Sequence, residues 1–401
     1  MKKILLTLTI LLAPTVTTRA QQPSWHDISA YIRAVAGENT DFSDISCTGP
    51  NECWVSSSNK PHIYHTTDGG HTWEVQDIEY SINALVMRDS QNGYAGGEYG
   101  RVYRTTDGGH TWTAIGSIGQ TLTSISCPPE GDSCYCCGDN GTIYGITGAT
   151  AFPMESGVVD HLHYINFPLT SSEGWVVGGS IIRHFLNNEW LGDQFKPSGG
   201  YNAICMTDTQ NGWACGDNGI IVHTTDGHNW SAVTNPDPEG RTLNGVFFLN
   251  GNEGWTVGFL GVILHTTDVG ASWQVEADSF GDALLRRVFF TSSTNGYVVG
   301  NPGTLLKYGQ FTDVEEQKQQ EWEVEVLPNP VEDEFKVRSP KFKVSRAVLE
   351  LFGMDGRKLL EKTIPKGNEE IMVDVRHPHS GLYFVRLTIE NKSVTKKLII
   401  K

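Results

Sequence analysis

From about residue 40 to residue 310 the chain alternates apolar and polar positions in short runs, each closed by Gly, Asn or Asp. Period-two alternation bounded by turn residues predicts strands with one buried and one exposed face. The runs come in ordered sets. Leu243-Asn244-Gly245-Val246-Phe247-Phe248 opens one set, and Gly254-Trp255-Thr256-Val257-Gly258 follows after a polar turn. A glycine turn comes next, seen also at Gly138-Asp139-Asn140-Gly141 and Gly216-Asp217-Asn218-Gly219, and Val262-Ile263-Leu264-His265 supplies a third strand. Long helical periodicity is absent, so long helices are not expected.

The sets repeat. An aromatic residue after Gly or Cys stands at Trp54, Tyr94, Tyr135, Trp175, Trp213, Trp255 and Tyr297, at intervals of 38 to 42 residues. That period suits a blade of four strands, and seven such units predict an all-β, seven-bladed β-propeller. Each unit should end in a turn of fixed chemistry. Thr66-Thr67-Asp68-Gly69-Gly70-His71-Thr72-Trp73 returns as Thr105 to Trp112 (Asp107, Gly109) and as Thr266 to Trp273 (Asp268, Gly270). A form one residue shorter runs from Thr224 through Asp226 to Trp230. This is the Asp-box: hydroxyl and carboxylate cap turn amides, Gly tolerates positive φ, and Trp packs across the hairpin. The third and fourth units lack it and need another turn. The seventh stops after its third strand, Thr304 to Tyr308, while Ser24-Trp25-His26-Asp27-Ile28 resembles the strand that follows a box. The N-terminal strand around Trp25 is therefore expected to complete the last blade and remove its open edge.

Composition then divides the chain. Lys2 and Lys3, an apolar run from Ile4 to Leu12 and small residues up to Ala20 read as a signal peptide over 1–20, with Gln21 as the first mature residue. No later apolar run suits a membrane helix. Residues 21–310 hold the propeller, 311–324 a polar linker and 325–401 a module of different grammar. Residues 21–321 carry 12 Lys and Arg against 34 Asp and Glu, which disfavours nucleic acid as a partner. A monomer is expected, and the signal peptide implies that the mature protein works outside the cytoplasm.

Export makes disulfides plausible for eight cysteines. Cys47 with Cys53, and Cys127 with Cys134, flank the same short turn two units apart, so both pairs are expected to be bridged. Cys205 and Cys215 are a less direct third pair, and Cys136 and Cys137 stay unassigned.

The C-terminal module opens on Leu327-Pro328-Asn329-Pro330, continues through Val348 to Phe352 and the turn Asp355-Gly356-Arg357, and ends with Gly381-Leu382-Tyr383 and a basic Lys396-Lys397 run. Short strands and Pro, Asn and Gly turns predict a small β-sandwich. These residues resemble the C-terminal sorting domain of the type IX secretion system of Bacteroidetes. That resemblance implies the secretion machinery as a partner, and release or surface attachment as the outcome. The ring, through its Gly-Trp/Tyr-x-x-Gly-x-x-Gly strand pairs and Thr-Thr-Asp-Gly-Gly turns, resembles the photosystem II assembly and stability factor-like family of Asp-box propellers. The family binds membrane-protein partners through a basic patch, but here Arg101, Arg104, Arg286 and Arg287 look scattered.

A non-catalytic binding or scaffold protein is the leading expectation, with a protein or glycan ligand and neither cofactor nor metal. The turns between second and third strands should share one face. There, Tyr99, Arg101, Asp139, Asn140, Asp217, Asn218, Phe259 and Leu260 are the candidate ligand-binding residues. The alternative is a glycoside hydrolase of sialidase-like or xyloglucan-cleaving kind, since such enzymes also carry Asp-boxes. It needs two placed carboxylates or a tyrosine with an acid partner, and the box aspartates are better used in their turns. His161-x-His163 could present two ligands to a metal, without an identifiable third.

Overall fold

A computed structural model of the chain describes residues 23–194, 196–277, 280–309, 325–327, 330–339, 346–353, 358–368, 370–375, 380–389 and 392–401. The proposed signal peptide, the linker, Pro328-Asn329 and the Asp355-Gly356-Arg357 turn lie outside these residues. The chain divides into two compact units, Met1–Phe311 and Thr312–Lys401.

Among the described residues, the first unit holds seven antiparallel four-stranded sheets. The first sheet runs Phe42–Cys47, Cys53–Ser57, His62–Thr66 and Glu74–Asp77, each strand paired with the next. Five more sheets follow in the same order. The opening strands of the seven sheets are Phe42–Cys47, Ile82–Met87, Leu122–Ser126, Tyr164–Asn166, Tyr201–Met206, Leu243–Phe248 and Leu284–Ser292. Each packs against the opening strand of the next sheet, and the seventh packs against the first, so they line a central channel. The last sheet takes its fourth strand from Ser24–Asp27, which pairs with Thr304–Gly309 in the register Trp25↔Tyr308.

Apolar residues fill the seams between successive sheets rather than one central mass. Trp54, Trp175, Trp213 and Trp255 are all 0% exposed. Each stacks on the histidine opposite it on the third strand, His65, His184, His223 and His265, with centroids 4.3–4.7 Å apart. The aromatic rings also join neighbours. Trp54 Nε1 donates to the Gly108 carbonyl and Trp175 Nε1 to that of Gly227, both at 3.0 Å and both in the Asp-box of the following sheet. Lys307 Nζ reaches the Gly69 carbonyl in the same way, at 2.8 Å. Three of the four boxes thus close their own hairpin and also receive a bond from the sheet before them.

Within the first box, Asp68 Oδ1 accepts from the backbone of His71 and Thr72 at 3.0 and 2.9 Å, and Oδ2 accepts from Thr72 Oγ1 at 2.6 Å. Thr66 Oγ1 accepts from Gly70 N at 3.0 Å. The other boxes repeat these bonds, for example Thr111 N to Asp107, Asn229 N to Asp226 and Ser272 N to Asp268. Hydrogen bonds from Thr111 and Ser272 hold the Asp107 and Asp268 carboxyls down at about 2. The third and fourth sheets turn differently. Thr147 pairs with Thr150 around Gly148 (φ 59°), and Leu186 pairs with Glu189 around Asn187 and Asn188 (φ 54° and 67°). Two consecutive positive φ values make the latter a type I′ hairpin, for which Asn is well suited.

Two features differ from the sequence reading. A helix, Ser29–Ala36, separates the closing strand from the first sheet. Ile28, Ile32 and Ala36 line its buried side, and Arg33 binds the carbonyls of Gly303 and Pro302. Two turns of helix give too few periods to stand out in a strand-rich sequence. The Cys205–Cys215 bridge is also absent. Cys215 faces Ala203 across the strand pair and Cys205 faces Trp213, two positions out of register, and both thiols are free. Cys47–Cys53 and Cys127–Cys134 are disulfides. Cys136 and Cys137 are free and buried on opposite faces of one strand, in two different seams.

In the second unit, strands Glu325–Leu327, Glu334–Arg338 and Glu370–Asp374 form one sheet. Lys358–Ile364, Ala347–Gly353, Gly381–Ile389 and Lys392–Ile400 form another. Phe335 and Val337 of the first share a core with Leu349, Leu351, Val385 and Leu387 of the second.

Candidate binding face

The opening strands are irregular at one repeated point. Six pairings with the second strand slip by one residue there, at Phe42/Asp44, Ile82/Ala84, Leu122/Ser124, Tyr201/Ala203, Leu243/Gly245 and Leu285/Arg287. Such bulges re-aim a side chain. The skipped residues are Ser43, Asn83, Thr123, Asn202, Asn244 and Arg286, and His163 stands at the matching place just before the fourth sheet. Opposite the bulge the second strand comes so close that a Cβ at Gly138 would collide with the Thr121 carbonyl, and one at Gly216 with that of Gly200. Only glycine fits there, which accounts for the first Gly of the recurring turn.

The skipped side chains bridge the sheets around the channel. Ser43 Oγ donates to the Ile82 carbonyl (2.6 Å), Asn83 Nδ2 to Leu122 (3.0 Å) and Thr123 Oγ1 to Leu162 (2.6 Å). His163 Nδ1 donates to Tyr201 (3.0 Å), Asn202 Nδ2 to Leu243 (3.1 Å) and Asn244 Nδ2 to Leu285 (2.9 Å). All of them line a cavity of about 460 Å³ at the end of the channel where the second-to-third-strand turns lie. Asp139, His161, Phe259, Arg286 and Arg287 complete its wall. Arg287 is compensated: its Nε lies 3.6 Å from Asp44, Nη1 donates to the Asn244 carbonyl, and the guanidinium sits 4.8 Å above Tyr164. His161 is paired with Asp139, and burial lowers the His163 pKa. Among the described residues no group of three or more His, Cys, Asp or Glu is placed to hold a metal ion.

The turns themselves share one conformation. The middle residue has positive φ in all four: Tyr99 56°, Asn140 55°, Asn218 56° and Leu260 53°. Asn tolerates this left-handed backbone, whereas tyrosine and leucine are strained in it. Tyr99 and Leu260 are nevertheless exposed, at 64% and 42%, and so is Phe259 at 46%.

The eight candidate residues do not form one cluster. Asp139 and Phe259 border the channel mouth. Tyr99 meets Tyr80 edge-on at 5.3 Å, and Arg101 lies 5.2 Å over the same Tyr80 ring. Asn140 donates to Gln120 Oε1 at 2.7 Å, and Asp217 accepts from Asn202 Nδ2 at 3.2 Å. Tyr80, His163 and the Arg286–Arg287 pair were not singled out by the turn motif. The arginines were findable, because 43, 83, 123, 163, 202, 244 and 286 repeat at intervals of 39 to 42, in step with the aromatic residues.

Four-stranded sheets around a channel, latched by Asp-boxes, define a β-propeller of the BNR type. Residues 182–280 match the family described as photosynthesis system II assembly factor YCF48, and residues 325–401 match the secretion system C-terminal sorting domain. The solved structure "YCF48 bound to D1 peptide" is similar with a TM-score of 0.59 and 20% identity, over 73% of this chain and 96% of that one. YCF48 from Cyanidioschyzon merolae gives 0.57 and 17%, over 71% and 98%. The WD40 β-propeller domain of Doa1 gives 0.58 and 12%, over 69% and 95%. No curated protein matches the chain by sequence. The first unit thus has a propeller fold similar to that of YCF48, and the match of residues 325–401 to a secretion sorting domain indicates export to the cell surface or the medium. No helix among the described residues is long and apolar enough to cross a membrane.

Proposed function

We propose that the chain is a secreted or surface-held, non-catalytic binding protein. Its seven sheets act as the blades of one ring, and its C-terminal unit is a small β-sandwich read by the type IX machinery after passage through the periplasm. The ligand-facing side is the rim of second-to-third-strand turns around the channel mouth. One observation carries this reading: four turns of identical backbone hold Asn in two cases and a strained, exposed Tyr99 or Leu260 in the others. Strain retained where the chain's own alternative would relieve it belongs to contact surfaces rather than to folding. Catalysis is disfavoured because, among its described lining residues, the mouth offers one carboxylate, Asp139, already paired with His161. Hydrolysis of a glycosidic bond needs two, or a tyrosine with an acid partner, and no tyrosine is among those lining residues.

The test transplants the chain's own relaxed turn. In Tyr99→Asn/Phe259→Asp/Leu260→Asn the second and sixth sheets carry the turn type of the third and fifth, so the ring keeps its backbone. Wild type and variant are screened against a glycan array and against cell-surface extracts in pull-down. Loss of the captured ligand supports the face, and capture undiminished by the triple change refutes it. Turnover of a sialoside or β-glucan would favour the hydrolase instead.

A further inference from the structure

The bridging ring around the channel is broken at one position. Five sheets place a short neutral donor at the bulge and the fourth places His163 at the matching position, and each spends it on the neighbouring carbonyl. The seventh places Arg286 there, and its guanidinium makes no hydrogen bond or ion pair among the described residues. Its Nε is shielded from solvent and unpartnered. An Asn or Ser would complete the ring, as at Asn244 or Ser43. The arginine instead leaves five N–H donors in a cavity of about 460 Å³. Of the nearby carboxylates, Asp44 is taken by Arg287 and Asp139 by His161. Burial and the adjacent Arg287 press the Arg286 pKa downward, and Asp41, which opposes them, does not offset the shift.

We infer that Arg286 is the anchor of an oxyanion site at the channel mouth, taking a carboxylate, sulfate or phosphate group of a bound ligand. A guanidinium presents a planar fork that matches such groups, and leaving a buried donor unpaired is costly. Asn83 and Asn244 line the same cavity, each with an amide hydrogen not used in the ring. The acidic balance of the whole chain, −16, is no obstacle, because a cleft with low-dielectric walls focuses the potential of its nearest charge. The inference rests on reading this mouth as the ligand-facing side, and adds the chemistry of the group received there.

The experiment titrates the folded protein with sodium acetate, sulfate and phosphate by calorimetry, at constant ionic strength set with sodium chloride. The wild type should bind at least one of the three saturably, and Arg286→Asn should raise its Kd tenfold or more. Arg286→Gln is the second neutral variant should the first not fold, and Arg88→Asn, a surface change, should leave the Kd within twofold. Acetate binding alone marks a carboxylate ligand; sulfate or phosphate binding marks an ester. Absence of saturable binding, or a neutral variant that binds like wild type, overturns the site. Loss of anion binding with surface capture intact overturns nothing about the turns, and capture lost in Tyr99→Asn/Leu260→Asn, neither of which lines the cavity, with anion binding intact separates the two readings.

Discussion

Trp175 and Trp213 occupy the same place in adjacent sheets, are equally buried and stack on equivalent histidines. They differ in one bond. Trp175 Nε1 donates to the Gly227 carbonyl at 3.0 Å, whereas Trp213 Nε1 is buried without a partner. Replacing either by phenylalanine removes three ring atoms, a packing loss on the order of 2 kcal/mol in both. Trp175→Phe also strips a buried carbonyl of its donor, which adds about 1–3 kcal/mol, while Trp213→Phe removes an unsatisfied N–H and adds nothing. Trp175→Phe should therefore be the less stable variant by about 1–3 kcal/mol, or roughly 2–5 °C in Tm for a domain of this size. Equilibrium urea unfolding followed by far-UV circular dichroism reads the difference directly, with a shared m-value as the condition for comparison. Equal destabilisation, or a larger loss at Trp213, would refute the view that bonds into the next Asp-box hold the sheets together.

Three further outcomes follow from the same geometry. Tyr99→Asn and Leu260→Asn should each raise stability by about 0.5–1 kcal/mol in a thermal melt, because the left-handed backbone is easier for Asn; destabilisation would show that the side chains pack for the fold. The Asp107 and Asp268 carboxyls sit at about 2 in the fold, below their ordinary 3.8, so their contribution is present above about pH 4 and lost as pH falls toward 2. A Tm profile of Asp107→Asn should be flatter than wild type across that window, and a parallel profile would count against the capping role. Cys47→Ser/Cys53→Ser should lower stability by about 1–3 kcal/mol, since the bridge closes only a six-residue separation, and the wild type should lose more than this in a reducing agent, which also opens Cys127–Cys134.

The repeat was legible because each unit buries its aromatic residue in the same seam, so the period of the sequence is the period of the packing. The two bridged cysteine pairs were legible for a similar reason: they flank one short turn, and strand register does the rest. Cys205 and Cys215 show the limit. The register set by the turn between Met206 and Gly212, which pairs Cys205 with Trp213 and Cys215 with Ala203, decides whether two cysteines meet, and it is not written in spacing alone. The helix Ser29–Ala36 was hidden by its length. At the candidate face, Tyr99, Phe259 and Leu260 could be picked out as large residues in turn positions, but the strain that gives them meaning is a backbone angle. Arg286 was visible in the sequence, but its contrast with the residues at the six matching positions shows only once the bulges align them.

The pairing of Trp25 with Tyr308 also sets a schedule. The strand that completes the last sheet is the first of the described residues to be synthesised, yet its partner lies more than 280 residues downstream. Until Thr304–Gly309 exists, the seventh sheet cannot be completed and Ser24–Asp27 has no strand to pair with. Closure is therefore a proofreading step built into chain order: a product cut short anywhere in the ring keeps raw sheet edges, and only a finished one hides them.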